Sequence, residues 1–422
     1  MSLDRTRRLC FAVCVGHSPK KPIDVKMLSS WNLIDDFRRR LALVRTRLAP
    51  PESSESPEAP EARGGPERKL LEEDYFSLLL FGLLNPVVDS MRGLCAASHL
   101  GRVQQEICSR PVSLGSFSEA QAVFDPDLLK EVFMELTAEV CAGGAKWGDP
   151  RLAPLAGKLK AVDGTLLPAL PRMLWALWQN DTNRAAKIHL KFDLLHQAPC
   201  ELKLTAGNIC ERKALRAMLK KGEIDVADRY YGLEYGFFEE LRKAGVSFVI
   251  RIRNKPRFTV VEELPLSDAD RAAGVTWQGM VKLGEEGKWQ GDPVRLVTVE
   301  VDGHTLQIVT DLDIEAELIA LIYRYRWQVE LFFKWLKCIL GCRHLLAESS
   351  SGVTIQVYCA LIGALMLQML TGRRPSKREM ELIQFYMVGM MEADELMALL
   401  AKERDRIQRL EKSKQEHAKN RL

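Results

Sequence analysis

The 422-residue chain is 47% apolar and 27% charged, which supplies a sizeable core and excludes a disordered polyelectrolyte. Ten cysteines without a single CxxC pair argue against a disulfide framework and fit a reducing cytoplasm. Residues 9–16 faintly resemble a signal peptide but show no clean cleavage site, and the apolar run 357–367 is too short to span a bilayer and reads as a buried core helix, so no membrane partner is expected. A net charge of +4 says little by itself, but the charge is uneven. Residues 1–50 hold eleven Lys or Arg against four Asp, and Lys402 to Arg421 hold eight cations against four anions. Basic ends suit contact with a phosphate backbone and equally suit a solvated surface.

In chain order, residues 1–49 form a basic head with one amphipathic helix near Trp31 to Leu48. Residues 50–68 are rich in Pro, Ser, Glu and Gly and read as a flexible linker. Residues 69–150 read as short helices, with Asn85-Pro86 opening one and Ser116 with Glu119 forming a capping box in another. Such a set suits a domain that binds DNA ends through a helix-turn-helix, and equally any small bundle. From about residue 155 the pattern changes. KLKAVDGTLL, IHLKFDLL and ELKLTAG predict an antiparallel meander, with His189, Lys191 and Asp193 spaced by two in its second strand. A helix (ERKALRAMLKKG), a strand ending in VAD, a helix (LEYGFFEELRKAG) and a strand (VSFVIRIR) follow. Three strands, helix, strand, helix, strand is the order of a ribonuclease-H-like α/β fold, a mixed sheet with flanking helices. Segment 254–312 predicts a β-rich insertion, with Asp302-Gly303 as a hairpin turn. Helix resumes at about 314 and runs to about 340. The catalytic unit is thus expected at 155–253 and 313–370, with a helical C-terminal region at 371–422.

Two aspartates and one glutamate could carry chemistry. Asp163 lies within the first strand and Asp228 at the end of the fourth; each could also be a turn-capping residue. On the helix after the insertion, Tyr323, Arg326, Glu330 and Lys337 fall on one face, with Lys334 on the same stripe. An acid among these cations could be a plain internal salt bridge or a site.

The pattern Tyr-x2-Arg-x3-Glu-x6-Lys, with AVDGT around Asp163 and VADRYYG around Asp228, resembles the DDE-type insertion-sequence transposases of bacteria that carry a Tyr-Arg-Glu-Lys signature. The resemblance covers roughly 85–370, and Tyr230 departs from it, since many relatives place Gly there. It implies an enzyme that binds the ends of its insertion sequence, cleaves phosphodiester bonds and transfers the 3′-OH ends to target DNA. Asp163, Asp228 and Glu330 are then the catalytic, metal-holding residues for two Mg²⁺ ions, for which Mn²⁺ can substitute. Tyr323, Arg326, Lys334 and Lys337 are the expected DNA contacts. Trp277 and Trp289 of the insertion are candidates for stacking on a flipped base, with sheet packing as their ordinary role. Double-stranded DNA and a second copy of the chain, paired on DNA, are the expected partners. A related metal-dependent nuclease, or an inactive DNA-binding relic, would show the same residues.

Overall fold

The computed structural model describes residues 30–49, 70–142, 147–180, 182–284, 291–342 and 344–419. The expected linker at 50–68, the head before residue 30 and Trp289 lie outside them. In helix α1 (Ser30–Leu48), Leu33, Ile34, Phe37, Leu41 and Val44 form one buried stripe. After it come α2 (Glu72–Leu84), α3 (Met91–Ala97), α4 (Gly101–Glu106), α5 (Leu114–Val123) and α6 (Asp127–Cys141). α1 packs on α2 and α6, so the helix of the basic head shares a core with the helices that begin at Glu72. Two helix starts differ from expectation. Asn85-Pro86 leads into a turn, and Ser90 caps α3 instead. Ser113, not Ser116, caps α5 by accepting from the Ser116 N–H, which places Phe117, Ala120 and Gln121 on one buried face.

Strands β1 (Leu159–Ala169), β2 (Arg184–Asp193) and β3 (Ala198–Ala206) form the antiparallel meander. After α7 (Glu211–Arg216), β4 (Ile224–Ala227) pairs parallel to β1; after α8 (Gly236–Lys243), β5 (Ser247–Arg251) pairs parallel to β4. This mixed sheet flanked by helices is ribonuclease-H-like. Segment 254–312 supplies β6 (Phe258–Glu263), α9 (Asp268–Ala272), β7 (Val275–Leu283), β8 (Val294–Val301) and β9 (His304–Thr310). These strands extend the same sheet, because β9 pairs antiparallel with β5; the order is β3-β2-β1-β4-β5-β9-β8-β7-β6. Asp302 and Gly303 both take positive φ (48° and 73°), as a two-residue hairpin with the sheet's twist requires.

The chain then continues as α10 (Ala316–Tyr325), α11 (Trp327–Cys338), α12 (Ser350–Thr371), α13 (Lys377–Met387) and α14 (Ala393–Lys419). One continuous helix over 314–340 was expected, but it breaks at Arg326. There Arg326 N donates to Tyr323 O and Val329 N to Arg326 O, a tighter i→i+3 pattern that separates α10 from α11. The apolar run 357–367 belongs to the longer α12, which has the length and hydropathy of a membrane span, yet 83% of its apolar window is buried inside the protein. Gln356 fixes it by accepting from Leu346 N and donating to His344 O, and Gln368 donates to His196 O. On α13 and α14, Met380, Ile383, Leu396 and Leu400 are buried within the chain itself.

The alternate residues His189, Lys191 and Asp193 are all buried. The Lys191 ammonium lies between Glu223 (2.7 Å) and Asp225 (2.9 Å), and Lys160 donates to Asp193 at 2.8 Å. Removing one partner of such a pair leaves a buried charge uncompensated, at about 3–5 kcal/mol. These residues tie β1, β2 and β4 together.

Candidate active site

Parallel pairing sets Val162 beside Ala227, and Ala227 beside Ile250. One residue further along the three neighbouring strands stand Asp163, Asp228 and Arg251, in a row with roughly 4.8 Å between strands. Val162, Ala227 and Ile250 join the core under α7 and α8. Side chains alternate, so Asp163, Asp228 and Arg251 face the other side, where α10 covers β4 and β5 and α11 covers β1. Two glycines permit the close packing. A Cβ on Gly164 would stand 3.1 Å from Glu211 Oε1, and one on Gly232 only 2.4 Å from the Arg251 carbonyl oxygen. The second contact is what lets the chain after Asp228 fold back onto the end of β5.

The break at Arg326 aims its guanidinium into the row. Nη2 donates to Glu330 Oε1 at 2.7 Å, Nη1 lies 4.0 Å from Asp163 Oδ2, and the group sits 5.7 Å from the Tyr323 ring centre. Its Nε is buried with no hydrogen-bond partner. Burial pushes Asp163 up to about 7; Arg326 and the Gly164 N–H oppose this, and the charges of Glu330 and Asp228 add to it. Burial also raises the Tyr323 hydroxyl, with Arg326 and Arg251 opposing and Asp228 reinforcing. The Asp163 carboxylate accepts from its neighbour's amide, Gly164 N, at 2.8 Å, and Asp228 accepts from Tyr230 N at 2.9 Å. Tyr230 has φ −65°, a conformation that needs no glycine, so the loop accommodates its side chain at the surface.

The other expected contacts are more scattered. Lys334 is exposed one turn beyond Glu330; Lys337 is half-buried in the last turn of α11, beside Cys342. Trp277 is half-buried on β7, 5.8 Å from the Phe258 ring, with Nε1 donating to Glu263 at 3.4 Å, which is its sheet-packing role. Arg251 is the residue that sequence reading passed over. Its signal was positional: it stands as far along β5 as Asp228 stands along β4. A separate group, Cys141, Asp193 and His196, has ligand atoms within 4.8 Å of one another, close enough for one metal ion. However, Asp193 Oδ1 already accepts from Leu195 N, His196 N and His196 Nδ1, and Oδ2 from Lys160. The Lys160 ammonium stands where a cation would otherwise bind this carboxylate.

A family model described as a transposase DDE domain matches residues 156–367, from the approach to β1 through most of α12 and half of the chain. This chain belongs to the DDE-domain transposase family. A Synechocystis protein named as the transposase of insertion sequence element IS4SA is 37% identical over 269 residues, covering 61% of this chain and 72% of that protein. A Sinorhizobium fredii protein named as transposase y4zB is 28% identical over 215 residues, 50% of this chain and 60% of its own length. A Geobacillus stearothermophilus protein named for insertion sequence element IS5377 is 24% identical over 216 residues, 50% of this chain and 56% of its own length. The chain therefore spans less than two thirds of two of these three relatives.

Within the DDE domain, the donor set fits a hard divalent ion. Asp163, Asp228 and Glu330 offer only carboxylate oxygens, the ligands Mg²⁺ and Mn²⁺ take. Burial raises Asp163, and the charges of Glu330 and Asp228 add to it, a condition that a divalent cation relieves. The Cys141 group offers sulfur and nitrogen, which suit softer ions.

Proposed function

We propose that this chain is a divalent-metal-dependent DNA transposase, which cleaves phosphodiester bonds at the ends of its element and joins the 3′-OH ends to target DNA. The observation that carries this reading is the row of Asp163 and Asp228 on neighbouring parallel strands, with Glu330 tied to it through Arg326. Asp163, Asp228 and Glu330 would hold two Mg²⁺ ions. When bound, the ions supply an activated nucleophile and neutralise charge on the attacking and leaving oxygens. Asp163 enters from within β1 and Asp228 directly after β4, so both carboxylates are held by rigid strands. Arg326 neutralises Asp163 and Glu330 and can turn its remaining N–H groups toward a phosphate oxygen, a fork geometry that lysine lacks. Tyr323 supports that guanidinium from below. Lys334 and Lys337 extend the cationic side of α11 along the backbone of the bound DNA. Two element ends must be cut and joined together, and one chain holds one such triad, so the working unit on DNA is a dimer.

The test is a nicking assay on supercoiled plasmid carrying the DNA that flanks the gene. Asp163→Asn, Asp228→Asn and Glu330→Gln should each keep DNA binding and lose Mg²⁺-dependent nicking. Wild-type rates in any one of them would remove that residue from the site.

A further inference from the structure

The loop from β5 to β6 reads Arg251-Ile-Arg253-Asn-Lys255-Pro-Arg257 and contains no acidic residue. We propose that this loop, with Arg229, is a clamp for the phosphate backbone of double-stranded DNA, holding the duplex against the carboxylate row. The inference rests on the transposase reading above and names the surface that presents the substrate.

Three observations converge. The first is position. Arg251 ends β5 next to Asp228, and Ile252 N donates to Gln307 O, so residues 253–257 leave the sheet just past the carboxylates, on the same edge. The second is charge state. Arg229, Arg253, Lys255 and Arg257 are exposed, and no carboxylate lies within 4.0 Å of Arg229, Arg253 or Lys255 among the described residues. Three other exposed arginines are paired, Arg151 with Asp149 and Glu317, Arg172 with Glu348, and Arg216 with Glu240, while Arg324 on α10 is exposed without an ion pair among the described residues. The uncompensated Arg229, Arg253 and Lys255 beside a carboxylate row attract a polyanion. The third is backbone. Lys255 takes φ +54° directly before Pro256, a conformation that a long side chain rarely adopts and that a following proline disfavours further. Glycine or asparagine would turn the chain more easily, and the strain of about 1–3 kcal/mol holds the lysine in a defined turn. Asn254 fixes the turn by accepting from Arg251 Nη2 at 3.3 Å. The carboxylates alone would repel DNA, so a cationic rim on this edge is what lets a phosphate approach them.

The experiment is fluorescence anisotropy of a labelled duplex of random sequence, titrated with the full chain in EDTA over a range of salt. Backbone contact is independent of sequence, so the element's own end is not required. The triple variant Arg253→Gln/Lys255→Asn/Arg257→Gln removes three cations from exposed positions. Its log K against log salt should be shallower by about 2.7, about 0.9 per lost phosphate contact, with affinity roughly a hundredfold weaker at about 0.1 M salt. Arg253→Gln alone should change the slope by about 0.9, which keeps the test open if the triple variant folds poorly. A matched variant at the opposite edge of the parallel strands, Lys158→Gln/Lys221→Gln/Lys243→Gln, should bind as wild type. If the wild-type chain binds duplex and the loop variants bind with unchanged affinity and slope, the clamp is overturned and the transposase reading stands. If wild type itself does not bind duplex at any salt, the transposase reading falls and the clamp with it.

Discussion

Arg326→Ala is the perturbation whose outcome depends most on the geometry of the site. The guanidinium is 12% exposed, 2.7 Å from Glu330 and 4.0 Å from Asp163. It is the cation closest to two of three clustered carboxylates. Removing one partner of a buried ion pair costs about 3–5 kcal/mol, because the remaining charges lose their compensation in a dry setting. Glu330 is about one third exposed, which places the expected loss toward the lower end, about 3 kcal/mol. The assay is urea unfolding at pH 8, first in EDTA and then in saturating Mg²⁺. In EDTA the variant should be less stable by about that amount. Mg²⁺ should stabilise the variant more than wild type, since the divalent ion takes over the neutralising role; binding at one hundred times its Kd contributes about 2.7 kcal/mol. Calorimetry should then show tighter Mg²⁺ binding to Arg326→Ala than to wild type. A variant as stable as wild type in EDTA, with an equal response to Mg²⁺, would refute the electrostatic account of Arg326.

Other outcomes follow from the same geometry. Glu330→Gln should leave the unfolding midpoint within about 1 kcal/mol of wild type and abolish nicking; retained nicking would release Glu330 from the site. Gly232→Ala puts a Cβ 2.4 Å from the Arg251 carbonyl and should destabilise by about 1–3 kcal/mol, read by thermal unfolding. Asp193 is held down to about 2: burial alone would raise it, but the His196 hydrogen bond and the Lys160 charge outweigh burial. Its folded pKa lies below the unfolded one, so it stabilises the fold above about pH 4 and loses that contribution as pH falls toward 2. Asp193→Asn should therefore cost about 3–5 kcal/mol at pH 7, of which about 2 kcal/mol disappears between about pH 4 and 2 in urea titrations. Light scattering of the chain with a duplex carrying an element end should give two chains on two ends; single chains during active cleavage would remove the dimer.

Much of the domain could be read from local pattern. The meander, the two strand–helix repeats and the Asp-Gly hairpin all have strong short-range signals, because strand alternation and φ-positive turns are set by neighbouring residues. The extension of the sheet by β6 to β9 was not readable, since the β5–β9 pairing joins residues almost sixty positions apart and depends on neither strand's own pattern. The helix break was also hidden. Residues 316–338 have helical spacing throughout, and only the packing of Arg326 between Asp163 and Glu330 shows why the hydrogen bonds tighten there. The Tyr-Arg-Glu-Lys spacing flagged Arg326 and Glu330 on one face and could not tell a salt bridge from a site; the structure has the salt bridge, and it lies at the carboxylate row. Arg251 and the cationic loop after it escaped because their meaning lies in the parallel register with Asp228, which no single strand encodes.

The central claim is that Asp163, Asp228 and Glu330 form the metal site, and anomalous scattering from crystals soaked in Mn²⁺ tests it most directly. Mn²⁺ peaks are expected with oxygens of all three carboxylates at about 2.1 Å, lost in Asp163→Asn. Mn²⁺ found only beside Cys141, Asp193 and His196, with none at the carboxylate row, would contradict it.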